Sequence, residues 1–168
     1  RAHHRRDAAT ARDMLAESLG SARELHDHWT AAWVLHAMGR VAYFDNDAAT
    51  ARSLGQESLA IAEAIGDDWL IAFALHLLGL AAYIAADYPT ARAYYERSLA
   101  IRRRLGYQEG IAILLFLMGV VALREGDFGQ AHVLNREATE LMRAFGSWSM
   151  AMPLAIYSHL AATQGQPV

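Results

Sequence analysis

The side chains whose types could do chemistry are few and scattered. The sequence holds eight His, no Cys and a modest set of carboxylates. His36 and His76 stand forty residues apart at the same place in a repeat described below, so they are expected to be neighbours. Two imidazoles can begin a zinc site, but such a site needs three or four N, O or S ligands. No Cys joins the pair and no carboxylate stands at a ligand spacing. The expectation is therefore a packed or solvated pair with some pH sensitivity, and no metal. His26 and His28 flank a turn, and His3-His4 lie near the start. Glu57 and Glu96 fall inside repeated helices and are expected to face solvent. The run Arg102-Arg103-Arg104 reads as a solvated helix end, where cations meet the negative pole of the helix dipole.

The spacings that organise catalysis are missing. There is no G-x-x-x-x-G-K-[ST] to cradle phosphates, no G-x-G-x-x-G, no G-x-S-x-G and no H-E-x-x-H. The absence of Cys removes disulfides, thiolate metal sites and cysteine nucleophiles. No catalytic residue, no cofactor and no enzymatic activity are expected. Fifteen Lys+Arg against eighteen Asp+Glu give a net charge of -3, so no basic excess draws the chain to a nucleic-acid backbone. The longest apolar segment, Gly110 to Leu123, is too short to span a bilayer and runs into Arg124 and Glu125. Apolar residues make up 54% of the 168, a high share for one small folded domain. The chain lacks a basic segment followed by a long apolar run, so no signal peptide is expected. It reads as a cytoplasmic segment cut from a longer protein.

The elements that must position these residues follow from a forty-residue repeat, which takes precedence over local patterns. Gly39, Gly79 and Gly119 keep this step, as do Gly66, Gly106 and Gly146. Asp7, Asp47, Asp87 and Asp127 follow it, with Ala11, Ala51, Ala91 and Ala131. Each unit divides into two segments with apolar residues at three- and four-residue spacing, the helical period. The first-type helices run roughly from Trp29 to Phe44, Trp69 to Ala85 and Glu109 to Glu125. The second-type helices run from Ala48 to Ile65, Pro89 to Leu105 and Phe128 to Phe145. A lone second-type helix covers 7–25 and a lone first-type helix 148–162, flanking repeats at 28–66, 67–106 and 107–146. The whole of 1–168 is expected to form one repeat domain of about seven helices, with no strand.

Local chemistry fits those boundaries. Asp47, Asp87 and Asp127 can accept the free N–H groups of the helix that follows, with Asp68 and Ser147 as further candidate caps. Gly66, Gly106 and Gly146 suit C-terminal caps with positive φ. Gly39, Gly79 and Gly119 lie inside helices, where each costs about 1 kcal/mol relative to Ala. Their shared position predicts close helix approach, with Ala51, Ala91 and Ala131 facing them. Trp29, Trp69 and Trp148, near helix starts, are expected in core or inter-repeat packing.

The segments Leu78-Gly79-x-x-Ala82…Ala86-Asp87-Tyr88-x-x-Ala91…Tyr95-x-x-Ser98 and Met118-Gly119…Gly126-Asp127-Phe128-x-x-Ala131…Ala138 resemble tetratricopeptide repeats. Leu35, Leu75 and Leu115 match the family's large apolar residue four positions before the glycine. The usual helix-A tyrosine is Ala at 42, 82 and 122, and the period is forty rather than thirty-four. The resemblance implies an all-α, right-handed α-α superhelix of helical hairpins. It also implies that the first-type helices line the inner surface. On that pattern the partner-facing residues are Trp33, His36, Arg40, Tyr43 and Phe44, then Phe73, His76, Leu80, Tyr83 and Ile84. The third repeat offers Ile113, Phe116, Val120, Leu123 and Arg124. Forty-residue units with "A..YYE.SLAI...LG" are similar to those of bacterial LuxR/MalT-like ATP-dependent transcription activators and related signalling ATPases. There such repeats sense a ligand or partner or self-associate. The resemblance thus implies a non-catalytic protein-contact or homo-oligomerisation module. Its partner would be a protein or peptide, or alternatively a small-molecule effector bound by the concave aromatic face, with no membrane and no direct nucleic-acid contact.

Overall fold

The computed structural model describes residues 2–144, with side chains from Thr10 onward. Seven helices fill them: α1 (Ala2–Glu24), α2 (His28–Phe44), α3 (Ala48–Ile65), α4 (Asp68–Ile84), α5 (Tyr88–Leu105), α6 (Gln108–Arg124) and α7 (Phe128–Ala144). Among the described residues there is no strand. These are the lone second-type helix and the three hairpins. The lone helix expected at 148–162, with Gly146, Ser147 and Trp148, lies outside the described residues. The helices fall into two compact units, one through Asp87 and one from Tyr88.

The helix ends show why the chain turns where it does. Asp27, Asp47 and Asp67 are the N-caps of α2, α3 and α4, accepting from the backbone N–H of Thr30, Thr50 and Leu70 at 2.9–3.0 Å. The cap of α4 is thus Asp67 and not Asp68, which is already the first helical residue. Asp127 does the same for Gln130 at 2.9 Å. Two sets of positions forty apart reverse the chain in the left-handed region. One set is His26, Gly66 and Gly106 (φ 54°, 69° and 69°); the other is Asn46, Ala86 and Gly126 (φ 60°, 59° and 81°). Gly66 and Gly106 were legible as caps. Ala86 is not, because an L side chain at positive φ costs about 1–2 kcal/mol and the fold tolerates it.

In the first unit, Leu19, Ala22, Ala31, Val34 and Leu35 join α1 to α2. Ala32, Ala62 and Leu70 join α2, α3 and α4, and Ala42, Ala51, Leu77 and Ala81 form a third cluster among the same helices. Ser58 Oγ donates to the Ala32 carbonyl at 2.8 Å, so the small polar residue lets α3 bond the backbone of its partner helix. The close approach at Gly39 differs from the sequence expectation. The nearest atoms to a side chain placed there belong to Leu77 of α4, the next first-type helix, rather than to Ala51. Gly55, also in α3, is tight against Leu78. In the second unit, Ala122 and Ala131 pack together with Leu123 and Phe128. A Cβ at Gly119 would lie 2.7 Å from Asn135 Nδ2, and that amide donates to the Ala131 carbonyl at 2.8 Å.

Surface ion pairs repeat as well. Arg12–Asp45 in the first unit and Arg92–Glu125 in the second hold the same register, two repeats apart. So do Arg23–Glu57 (2.6 Å) and Arg103–Glu137 (3.5 Å). Each such exposed pair contributes at most about 1 kcal/mol and acts mainly as a register mark.

Candidate protein-contact face

On α2 the residues Trp29, Trp33, His36, Arg40 and Tyr43 recur at spacings of four, three, four and three. On α4, Trp69, Phe73, His76, Leu80 and Tyr83 do the same. That alternation places each set on one helical stripe. The two helices pack directly on each other, which sets the stripes side by side in the first unit.

At the N-terminal ends of the two helices the rings form one cluster. Trp29 stacks on Trp69 (6.2 Å between centroids, 14° between planes) and on Trp33 (6.3 Å, 25°). Trp33 meets Trp69 at 5.0 Å, stacks on His36 at 5.2 Å and meets Phe73 edge-on at 5.4 Å. Phe73 touches Trp69 at 4.3 Å and His36 at 5.4 Å. Offset and edge-to-face pairs of this kind add about 0.5–1.5 kcal/mol each beyond the area they bury. The Trp29 indole N–H donates to Asp67 Oδ2 at 3.2 Å, so the cap of α4 also fixes the ring on α2. The Thr30 N–H and hydroxyl hold the Asp27 carboxyl below its ordinary value.

The other end of the stripe is an open cation–aromatic group. The Arg40 guanidinium lies 5.9 Å from the centroid of the Phe44 ring, and Tyr43 meets Phe44 edge-on at 5.3 Å. Phe44 is 73% exposed. Burial raises the Tyr43 hydroxyl above its ordinary value; Tyr83 adds to this and Arg40 opposes it.

The structure therefore distributes the expected partner-facing residues unevenly. Arg40 and Phe44 are exposed, and Trp33, Tyr43, Phe73, His76, Tyr83 and Ile84 are half-buried. His36 and Leu80 are buried. In the second unit Phe116 is buried, Ile113, Val120 and Leu123 are half-buried, and Arg124 is exposed. Trp29 and Trp69, expected in core or inter-repeat packing, do stack on each other between repeats, while 45% of the first and 37% of the second stay exposed at the outer part of the ring cluster.

The arginine run also departs from expectation. Arg102 is buried, donates to the Gly110 carbonyl at 3.0 Å and lies 5.6 Å from the Tyr107 ring centroid. Burial lowers its pKa to about 10, with Tyr107 acting in the opposite direction, so it stays charged at neutral pH. Arg103 and Arg104 are exposed, as expected of a helix end.

No group of three or more His, Asp or Glu among the described residues could hold a metal ion. No described helix is long and apolar enough to cross a membrane. The tetratricopeptide repeat family model matches residues 70–144. The crystal structure of BtubC (BKLC) from P. vanneervenii is similar, with a TM-score of 0.78 and 20% sequence identity. That match covers 94% of this chain and 66% of that one, and at this identity it shows the fold alone. No curated protein matches the chain. The seven described helices are consistent with a TPR-like all-α helical-repeat fold, and the family match falls on α4 to α7; tetratricopeptide repeats are generally non-catalytic and mediate protein contacts.

Proposed function

We propose that this chain binds a partner protein non-covalently through the α2/α4 aromatic stripe of its first unit. The observation that carries the reading is the continuous cluster of Trp29, Trp33, Trp69, Phe73 and His36, left partly open to solvent at Trp29 and Trp69. Trp, Tyr and Arg are the residues enriched at binding hot spots, and this stripe holds all three. A tryptophan side chain carries up to about 250 Å², so the open fractions leave on the order of 100 Å² on each of the two outer rings. Covering both is worth about 5 kcal/mol gross at about 25 cal/mol/Å². Association costs at least about 4 kcal/mol, so the tryptophan pair alone gives only weak binding. A stable complex must also use Phe44, Arg40 and the half-buried Tyr43 and Tyr83, which makes the whole stripe the footprint.

The test uses a peptide ligand selected from a random display library. The variant Phe73→Ser/Tyr83→Ser should lose at least about tenfold in affinity while keeping its far-UV circular dichroism. Undiminished binding by that variant overturns the reading.

A finer reading is that the module is the sensor, assembly or self-association segment of a bacterial transcriptional or signalling regulator in the cytoplasm. The likeness of its repeat segments to those of LuxR/MalT-like activators supports it. An ATPase or helix-turn-helix domain in the parent sequence would agree with this, and a parent lacking both would remove it.

A further inference from the structure

The two carboxylate oxygens of Asp67 serve two different helices. Oδ1 accepts the Leu70 N–H at 2.9 Å and so caps α4, while Oδ2 accepts the Trp29 indole N–H of α2 at 3.2 Å. The matching aspartate one repeat earlier uses both oxygens locally. Asp27 accepts the Thr30 N–H at 3.0 Å through Oδ1 and the Thr30 hydroxyl at 2.6 Å through Oδ2. Asp47, the cap of α3, likewise takes both the N–H and the hydroxyl of Thr50. The difference lies three residues further on. Leu70 is buried in the core and has no hydroxyl to offer, so the second oxygen of Asp67 serves the ring across from it.

The ring so held is one that packing alone holds least. Trp29 is the more exposed of the two outer tryptophans and stacks on Trp69 with the planes 14° apart. Trp69 follows Asp67 by two residues on α4. The bond thus ties the Trp29 N–H to the end of the helix that carries its stacking partner. An indole has a single N–H donor, and satisfying it fixes how the ring is turned. A side chain already held in its bound setting avoids the ordering cost of association.

We propose that Asp67 is a positioning residue for partner binding: it holds Trp29 in the orientation that a partner protein meets, without touching that partner. The proposal rests on the protein-contact reading of the same face and adds what pre-arranges it.

A near-isosteric change separates the two bonds. Asn caps a helix about as well as Asp. Its amide, however, has one acceptor oxygen and a donor in place of the other, so it cannot cap α4 and accept the indole N–H together. Asp67→Asn should therefore keep the urea midpoint of the unchanged protein. The Trp29 indole N–H signal, assigned with Trp29→Phe, should move upfield and exchange with solvent at least about threefold faster. Affinity for the display-selected peptide, read by calorimetry, should fall about two- to tenfold, the ordering of one side chain. In the Trp29→Phe background there is no N–H to hold, and Asp67→Asn should leave the affinity as it is. Asp67→Ala removes the cap as well; its urea midpoint should drop while its affinity matches that of Asp67→Asn.

An indole signal unmoved by Asp67→Asn overturns the proposal, and so does unchanged affinity. An equal loss of affinity in the Trp29→Phe background means that Asp67 touches the partner itself, which also overturns it. Affinity that falls with the urea midpoint from Asp67→Asn to Asp67→Ala marks a structural role and does the same. The contact face is judged separately, by the Phe73→Ser/Tyr83→Ser variant with the same peptide.

Discussion

Replacing Gly39 by Ala opposes two effects whose sizes the structure separates. Inside a helix the change gains about 1 kcal/mol from backbone entropy and propensity. At Gly39 the new Cβ would fall on Leu77 Cδ2, well inside van der Waals contact, with Leu77 Cγ and Cδ1 at 3.3 Å. Leu77 is fully buried with Ala42, Ala51 and Ala81, so it has little room to turn away. Overpacking of such a site costs about 1–3 kcal/mol. The net result ranges from no change to about 2 kcal/mol of destabilisation, by subtraction of those two terms. Gly20 in α1 is the internal control: nothing lies within 4 Å of its added Cβ, so Gly20→Ala should stabilise by nearly the full 1 kcal/mol. The two variants should therefore differ by about 1–3 kcal/mol in urea unfolding followed by circular dichroism, at unchanged m-value. A Gly39→Ala midpoint as high as that of Gly20→Ala would refute the claim that α2 and α4 are held at glycine distance.

Three further outcomes follow from the same geometry. Ala86→Gly should stabilise by about 1 kcal/mol, because its φ of 59° strains an alanine and Gly126 already occupies the matching turn; thermal unfolding checks it. Arg102→Met should cost about 1.5–3 kcal/mol by leaving the Gly110 carbonyl without its charged donor, whereas Arg103→Ala should cost under about 1 kcal/mol; parallel urea titrations separate them. The carboxyls of Asp27 and Asp47 are lowered from 3.8 by hydrogen bonds from Thr30 and Thr50. Their contribution is complete above about 3.8 and is lost as pH falls through the lower folded values, so Asp27→Asn/Asp47→Asn should flatten the acid limb of a stability–pH curve.

The fold was readable from the sequence because its determinants are periodic and local. A forty-residue step in Gly, Asp and Ala marks the hairpins, and capping aspartates and positive-φ glycines mark their ends. Leu35, Leu75 and Leu115, singled out by register, are all fully buried. What the pattern could not give was partnership across helices. The register of Gly39 says that something comes close, but only the packing of α4 on α2 shows that it is Leu77. Arg102 looked like its exposed neighbours because a run of three arginines hides which one points inward. The candidate face was half legible: the resemblance to tetratricopeptide repeats named most of the stripe, while the exposure of Trp29 and Trp69 became visible only with the packed helices.

The most direct test of the contact face is the indole N–H spectrum of the protein titrated with its display-selected peptide. Assignment uses Trp29→Phe, Trp33→Phe and Trp69→Phe one at a time. Saturable shifts of the Trp29, Trp33 and Trp69 resonances, at the peptide concentration that gives half-maximal binding, are the predicted result. A peptide that binds to saturation while all three indole signals stay in place would contradict the account.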